Sequence, residues 1–172
     1  NCRLMIARFP DMMGSVDEAK MFQWMADNGA DVISCSWGPP DGTGMTYPQP
    51  DNVRSAIAYC TRNGRNGKGV PIFWAAGNGN ESVSKDGYSC NPDVMAIAAV
   101  NEHGARSYYS DFGPEIFVCA PSSGTTSSGD RPIFTTDRSG TNGYNPGGTL
   151  VHDDSAGNYC NDFGGTSSAA PL

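Results

Sequence analysis

Residues 69–78 read GVPIFWAAGN, an unbroken apolar run of branched and aromatic side chains that stops at Gly77. A short run of this kind, bounded by proline and glycine, predicts a strand rather than a helix. Its apolar residues do not alternate with polar ones, so both faces of the strand meet protein. Three further runs repeat the pattern: DVISCSW at 31–37, DVMAIAAV at 93–100 and EIFVCAP at 115–121. The run CRLMIARF at 2–9 predicts another short strand.

Helical signals separate the first runs. In GSVDEAKMFQWMADNGA, residues 14–30, Ser15 and Glu18 fit a capping box and Asn28-Gly29 a helix stop. Phe22, Met25 and Ala26 give that helix one apolar face. PDNVRSAIAYCTRNG, residues 50–64, predicts a second helix, again closed by Asn-Gly. Strands alternating with helices imply an α/β fold with a mostly parallel sheet covered by helices on both faces. Ligands of such sheets bind beyond the carboxyl ends of the strands. The loops there, 36–43 and 77–88, and the start of a terminal helix are rich in Gly, Pro, Asp and Ser. Residues 122–148 read as loop around one short strand, PIFTT.

A net charge of −7 argues against nucleic acid and anionic membranes as partners and favours basic substrates. No apolar run approaches the roughly 20 residues that span a bilayer. No G-x-G-x-x-G follows the first strand and no P-loop lysine occurs, which speaks against a nucleotide-binding domain. The six cysteines show no CxxC or zinc spacing. Cys35 and Cys119 lie in strand-like runs and are expected to be buried free thiols, whereas Cys90 and Cys160 in loops suit disulfides better.

The chemistry concentrates in GGTSSAAP, residues 164–171. A nucleophilic serine needs an exposed hydroxyl, a base and donors for an oxyanion. A helix start supplies unpaired N–H groups and a favourable dipole, and small neighbours let a substrate backbone approach. A Gly-Thr-Ser helix start also serves as a plain N-cap, so this stretch does not decide by itself.

The stretch resembles the Gly-Thr-Ser-x-Ala-x-Pro nucleophile motif of the subtilases, the subtilisin-like serine proteases. The resemblance makes Ser167, not Ser168, the nucleophile. WAAGN resembles the strand and loop that supply the side-chain oxyanion donor, which falls on Asn78, with Ala76 and Gly77 beside it at the substrate. An asparagine amide is a neutral donor at any working pH. SCSWG, residues 34–38, resembles the strand end that pairs with substrate and lines the primary pocket, giving Ser36, Trp37 and Gly38. These motifs stand in the family's order and imply a subtilisin-like three-layer fold and a serine endopeptidase.

Subtilases carry Asp, His and Ser in that order. Neither His103 nor His152 lies in a His-Gly-Thr helix motif, and both read as surface residues. The resemblance therefore implies that residues 1–172 are the C-terminal part of a catalytic domain, lacking the segment with Asp and His and the rest of the serine helix. Alone, such a part is expected to be inactive; a pseudoprotease or a non-catalytic α/β binding domain is the alternative.

SCSWGPPDG and the pairing of GNGN with DGYS are similar to the kexin/furin branch, and IFVCAP to subtilisin itself. The mixture points to a bacterial kexin-like member. The resemblance implies that Asp41 and Asp86 select a basic residue before the scissile bond. It also implies calcium, held by Asp41 and Asp111 with Glu81 as a further ligand; hard cations take such oxygen donors. Asn78 separates the chain from the sedolisins, which use an aspartate there. Protein or peptide substrates, a propeptide, an appended C-terminal domain and a secreted, extracellular or periplasmic location are the remaining expectations.

Overall fold

The computed structural model describes residues 2–8, 13–124, 131–147 and 154–172. Strands β1 (Ile33–Cys35), β2 (Ile72–Ala75), β3 (Met95–Val100) and β4 (Ile116–Pro121) form one sheet in the order β1-β2-β3-β4. Every pairing is parallel, with Ile33 opposite Ile72, Phe73 opposite Met95 and Ala98 opposite Cys119. Parallel neighbours need crossovers, and α2 (Asp51–Gly67) makes the one from β1 to β2. Helix α1 (Ser15–Asp27) precedes β1. Strands β5 (Ile133–Thr136) and β6 (Tyr159–Phe163) pair antiparallel as a separate ribbon, and α3 (Thr166–Ala169) follows.

The pleat of β2 sorts its side chains between two cores. Ile72 and Trp74 face α1 and α2, where Phe22, Val53 and Ile57 are fully buried with them. The Phe22 and Trp74 rings stack at 5.9 Å. Ala75 faces the other way, onto Ile97, Ala99 and the Ala169–Ala170 pair of α3. Cover on both faces, as expected, holds for β2 and β3. It is incomplete at β4, an edge strand, where Ala120 packs against Ala169 and Ala170 of α3 but Phe117 is 65% exposed.

Several local expectations are corrected. CRLMIARF is not a strand over residues 2–8: Leu4 and Ile6 stand exposed. A strand exists through its ladder, and this run has no ladder partner among the described residues. The capping box does not form either. Gly14 is the N-cap, Ser15 is already helical, and Glu18 shares the buried face of Phe22 and Met25 at helical spacing. Helix α2 does break at its Asn-Gly signal. Arg65 and Asn66 turn left-handed after Gly64, whose absent Cβ would lie 2.4 Å from Val70 Cγ2. All six cysteines are free thiols. Cys119 is exposed on the uncovered edge strand, and Cys160 is buried in β6, not in a loop.

Candidate active site

The carboxyl ends of β1, β2 and β3 open onto one pocket. The loop after β2 carries Gly77 and Asn78. Gly77 has φ +114°, and a Cβ there would lie 2.5 Å from Asp111 Oδ2 and 2.9 Å from Asp41 Oδ2, so only glycine fits. Asn78 Oδ1 accepts from Thr166 N at 2.8 Å and from Thr166 Oγ1 at 3.1 Å. Thr166 Oγ1 in turn accepts from Gly77 N at 3.2 Å. This clasp fixes the start of α3 against the β2 loop. With Oδ1 engaged, the donor end of the amide, Nδ2, is what Asn78 offers a ligand.

The two serines divide clearly. Ser168 is buried, its Oγ 2.7 Å from Ser122 Oγ and donating to Gly165 O at 3.1 Å. Ser167 is half-buried and lines the pocket. Its Oγ makes a long bond to Ser36 O at 3.4 Å, while Ser36 Oγ donates to Ser167 O at 2.8 Å. The end of β1 and the start of α3 are thereby held together.

Three loops bring carboxylates behind the pocket. Asp41, Glu81 and Asp111 follow β1, β2 and β3, and one oxygen of each lies within 4.8 Å of the others. Backbone N–H groups hold them in place. Asn78 and Gly42 donate to Asp41, Gly42 and Gly44 to Glu81, and Gly79 and Glu81 to Asp111. Asp111 is buried, and burial, helped by the charges of Asp41 and Glu81, pushes its carboxyl up to about 6. Glu81 moves the other way, held low first by Lys85, whose Nζ lies 2.9 Å from Oε2. Burial also pushes Asp86 up, against bonds from Tyr88 N at 2.8 Å and Ser89 Oγ at 2.9 Å.

The pocket lining unites Ser36, Trp37, Gly38, Asp41, Gly77, Asn78, Glu81, Asp86, Asp111 and Ser167, all expected from the sequence. Ala76 is the exception. Strand alternation turns it into the core with Val83 and Ala96, and Ala75 lines the pocket instead. Thr166 and Lys85 were not anticipated. The threonine of the Gly-Thr-Ser motif was a usable signal; Lys85 reaches Glu81 only through the short turn Val83–Lys85, which no pattern announces. His103 is exposed beside Glu102, away from the pocket lining, and His152 falls outside the described residues.

The model of the subtilase family matches residues 1–172, the whole chain. The chain belongs to the subtilase family. It is 53% identical to a calcium-dependent protease of a Nostoc species over 98% of the chain and 27% of that protein. It is 30% identical to a kexin of Candida albicans, over 92% of the chain and 15% of that protein. Among solved structures, a serine protease of Aeromonas sobria superposes with a TM-score of 0.72, covering 89% of the chain and 31% of that structure. At 22% identity that likeness concerns the fold, and it agrees with the parallel sheet and its helices. The chain thus spans about a quarter of the length of the calcium-dependent proteases it matches.

Proposed function

We propose that this subtilase chain carries the nucleophile and the oxyanion donor of a serine endopeptidase. Ser167 Oγ gives up its proton to a general base and attacks the scissile carbonyl, the C–N bond breaks as the amine leaves with that proton, and water then hydrolyses the acyl-Ser167 ester to release the acid and restore the Ser167 hydroxyl. Asn78 Nδ2 and the N–H groups at the start of α3 receive the oxyanion. The observation that carries this reading is the Thr166 clasp, which spends Asn78 Oδ1 on the protein and leaves the donor end to substrate. Among the described residues the pocket lining contains no histidine, and the proton transfers are assigned to none of them.

Two finer readings accompany it. Asp86, half-buried at the pocket wall with Asp41 nearby, suits a basic side chain before the scissile bond, since buried carboxylates are costly without a cation. Asp41, Glu81 and Asp111 suit calcium. Their oxygens converge, and the Asp111 carboxyl, pushed up by burial and further by the charges of Asp41 and Glu81, is one that a bound cation would favour in its ionised form. Calcium there would neutralise the cluster and stiffen the loops that bear Asn78 and Asp41. The name of the Nostoc relative is consistent with that assignment. A fluorophosphonate probe applied to the full-length protein tests the core reading. Labelling is expected on Ser167 and lost in Ser167→Ala; labelling that persists in that variant refutes it.

A further inference from the structure

Glu18 lies on α1, outside the pocket, and is only 6% exposed, on the helix face that also buries Phe22 and Met25. A carboxyl in such a place is costly, and a leucine or methionine would fill it more cheaply. Stability alone therefore does not account for it. Its Oε2 accepts from the Tyr88 hydroxyl at 3.2 Å, and its Oε1 is buried with no hydrogen-bond partner among the described residues. All of its evident bonding is directed at Tyr88.

Tyr88 is where the core meets the specificity pocket. Its ring meets Trp37 edge-on at 5.5 Å and lies 5.4 Å from Trp74. Trp74 Nε1 donates to Trp37 O at 2.7 Å, which places Trp37, a pocket residue, on the same cluster. The backbone N–H of Tyr88 holds Asp86 Oδ1 at 2.8 Å. One residue thus supports both the Asp86 carboxylate and the Trp37 wall, and Glu18 tethers its far end.

We propose that Glu18 is a positioning residue for the specificity pocket, acting through the Tyr88 hydroxyl on Asp86 and Trp37. The proposal rests on the reading of Asp86 as the carboxylate that meets a basic substrate side chain. Without the tether the Tyr88 ring is free to shift, and Asp86 is less sharply presented. Ser167 and Asn78 are held by a different set of bonds, the Thr166 clasp and the Ser36 pair, so their chemistry is left intact.

The test compares peptides with arginine or leucine before the scissile bond, using the full-length enzyme. Glu18→Leu and Tyr88→Phe each raise KM for the arginine peptide about fivefold to tenfold, the effect of one lost hydrogen bond, with kcat little changed. The leucine peptide keeps its kcat/KM. Glu18→Gln, which still offers an oxygen to Tyr88, restores the arginine KM. The double variant Glu18→Leu with Tyr88→Phe is no worse than either alone, because both act through one bond. Should Glu18→Leu fail to fold, Tyr88→Phe carries the comparison. Equal losses on both peptides, or Glu18→Gln as impaired as Glu18→Leu, overturn the proposal. Asp86→Asn separates it from the reading beneath it. Arginine preference that survives Asp86→Asn refutes both, whereas preference lost in Asp86→Asn but kept in Glu18→Leu refutes the role of Glu18 alone.

Discussion

Replacing Asp111 by asparagine should have opposite effects without and with calcium. Without the ion, the folded protein holds a buried carboxyl at about 6, against 3.8 for the unfolded chain. The folded state therefore binds more protons between about pH 4 and 6, and stability falls as pH rises through that window. A rise from 3.8 to about 6, at about 1.4 kcal/mol per pH unit, is a penalty of at most about 3 kcal/mol above pH 6. Asparagine carries no charge, yet its Oδ1 can still accept from Gly79 N and Glu81 N as Asp111 does at 3.0 Å. In chelator at pH 7.5, Asp111→Asn is therefore the more stable protein by up to about 3 kcal/mol, and it lacks the decline between pH 4 and 6. With calcium the order reverses, because the wild type gains the binding free energy and the variant has lost one of three carboxylates. Urea midpoints followed by tryptophan fluorescence measure both, with Ser167→Ala in each background to prevent self-digestion. A variant no more stable than wild type in chelator at pH 7.5 refutes the reading of Asp111 as a carboxylate destabilised by burial and by its acidic neighbours. A wild type indifferent to calcium refutes the metal assignment.

Three further outcomes follow from the site. Asn78→Asp keeps the Oδ1 contact with Thr166 but removes the donor, so kcat falls about 10²–10³-fold while circular dichroism is unchanged; that range comes from a subtilisin's own donor, not from this chain. Ser168→Ala leaves kcat near wild type but costs about 1–2 kcal/mol in thermal or urea stability, through the lost bonds to Ser122 and Gly165; a loss of activity with stability intact would reverse the assignment of the two serines. Gly77→Ala forces a methyl group toward Asp111 in a left-handed backbone and lowers stability by about 2 kcal/mol or more, visible as a reduced melting temperature.

How much of this was legible in the sequence depended on how far each signal reached along the chain. The apolar run of β2 and the Gly77 that ends it are adjacent, so the strand and the place of Asn78 could be read directly. The parallel sheet then did the gathering. Asp41, Glu81 and Asp111 follow three successive strands, and carboxyl-end loops of neighbouring parallel strands converge whatever their separation in sequence. What could not be read were properties set by partners. CRLMIARF has a strand's composition, but no composition supplies a ladder partner. The identity of the buried serine rests on Ser122, 46 residues away. The opposite protonation tendencies of Asp111 and Glu81 arise from burial in one case and from Lys85 in the other. Glu18 departs from the capping pattern for a different reason. Its spacing from Phe22 and Met25 places it on the inward face, and helical periodicity takes precedence over a short-range capping pattern. A charged residue that falls on the apolar face of a helix is therefore better taken first as a bond to something specific, here Tyr88, and only then as a cap.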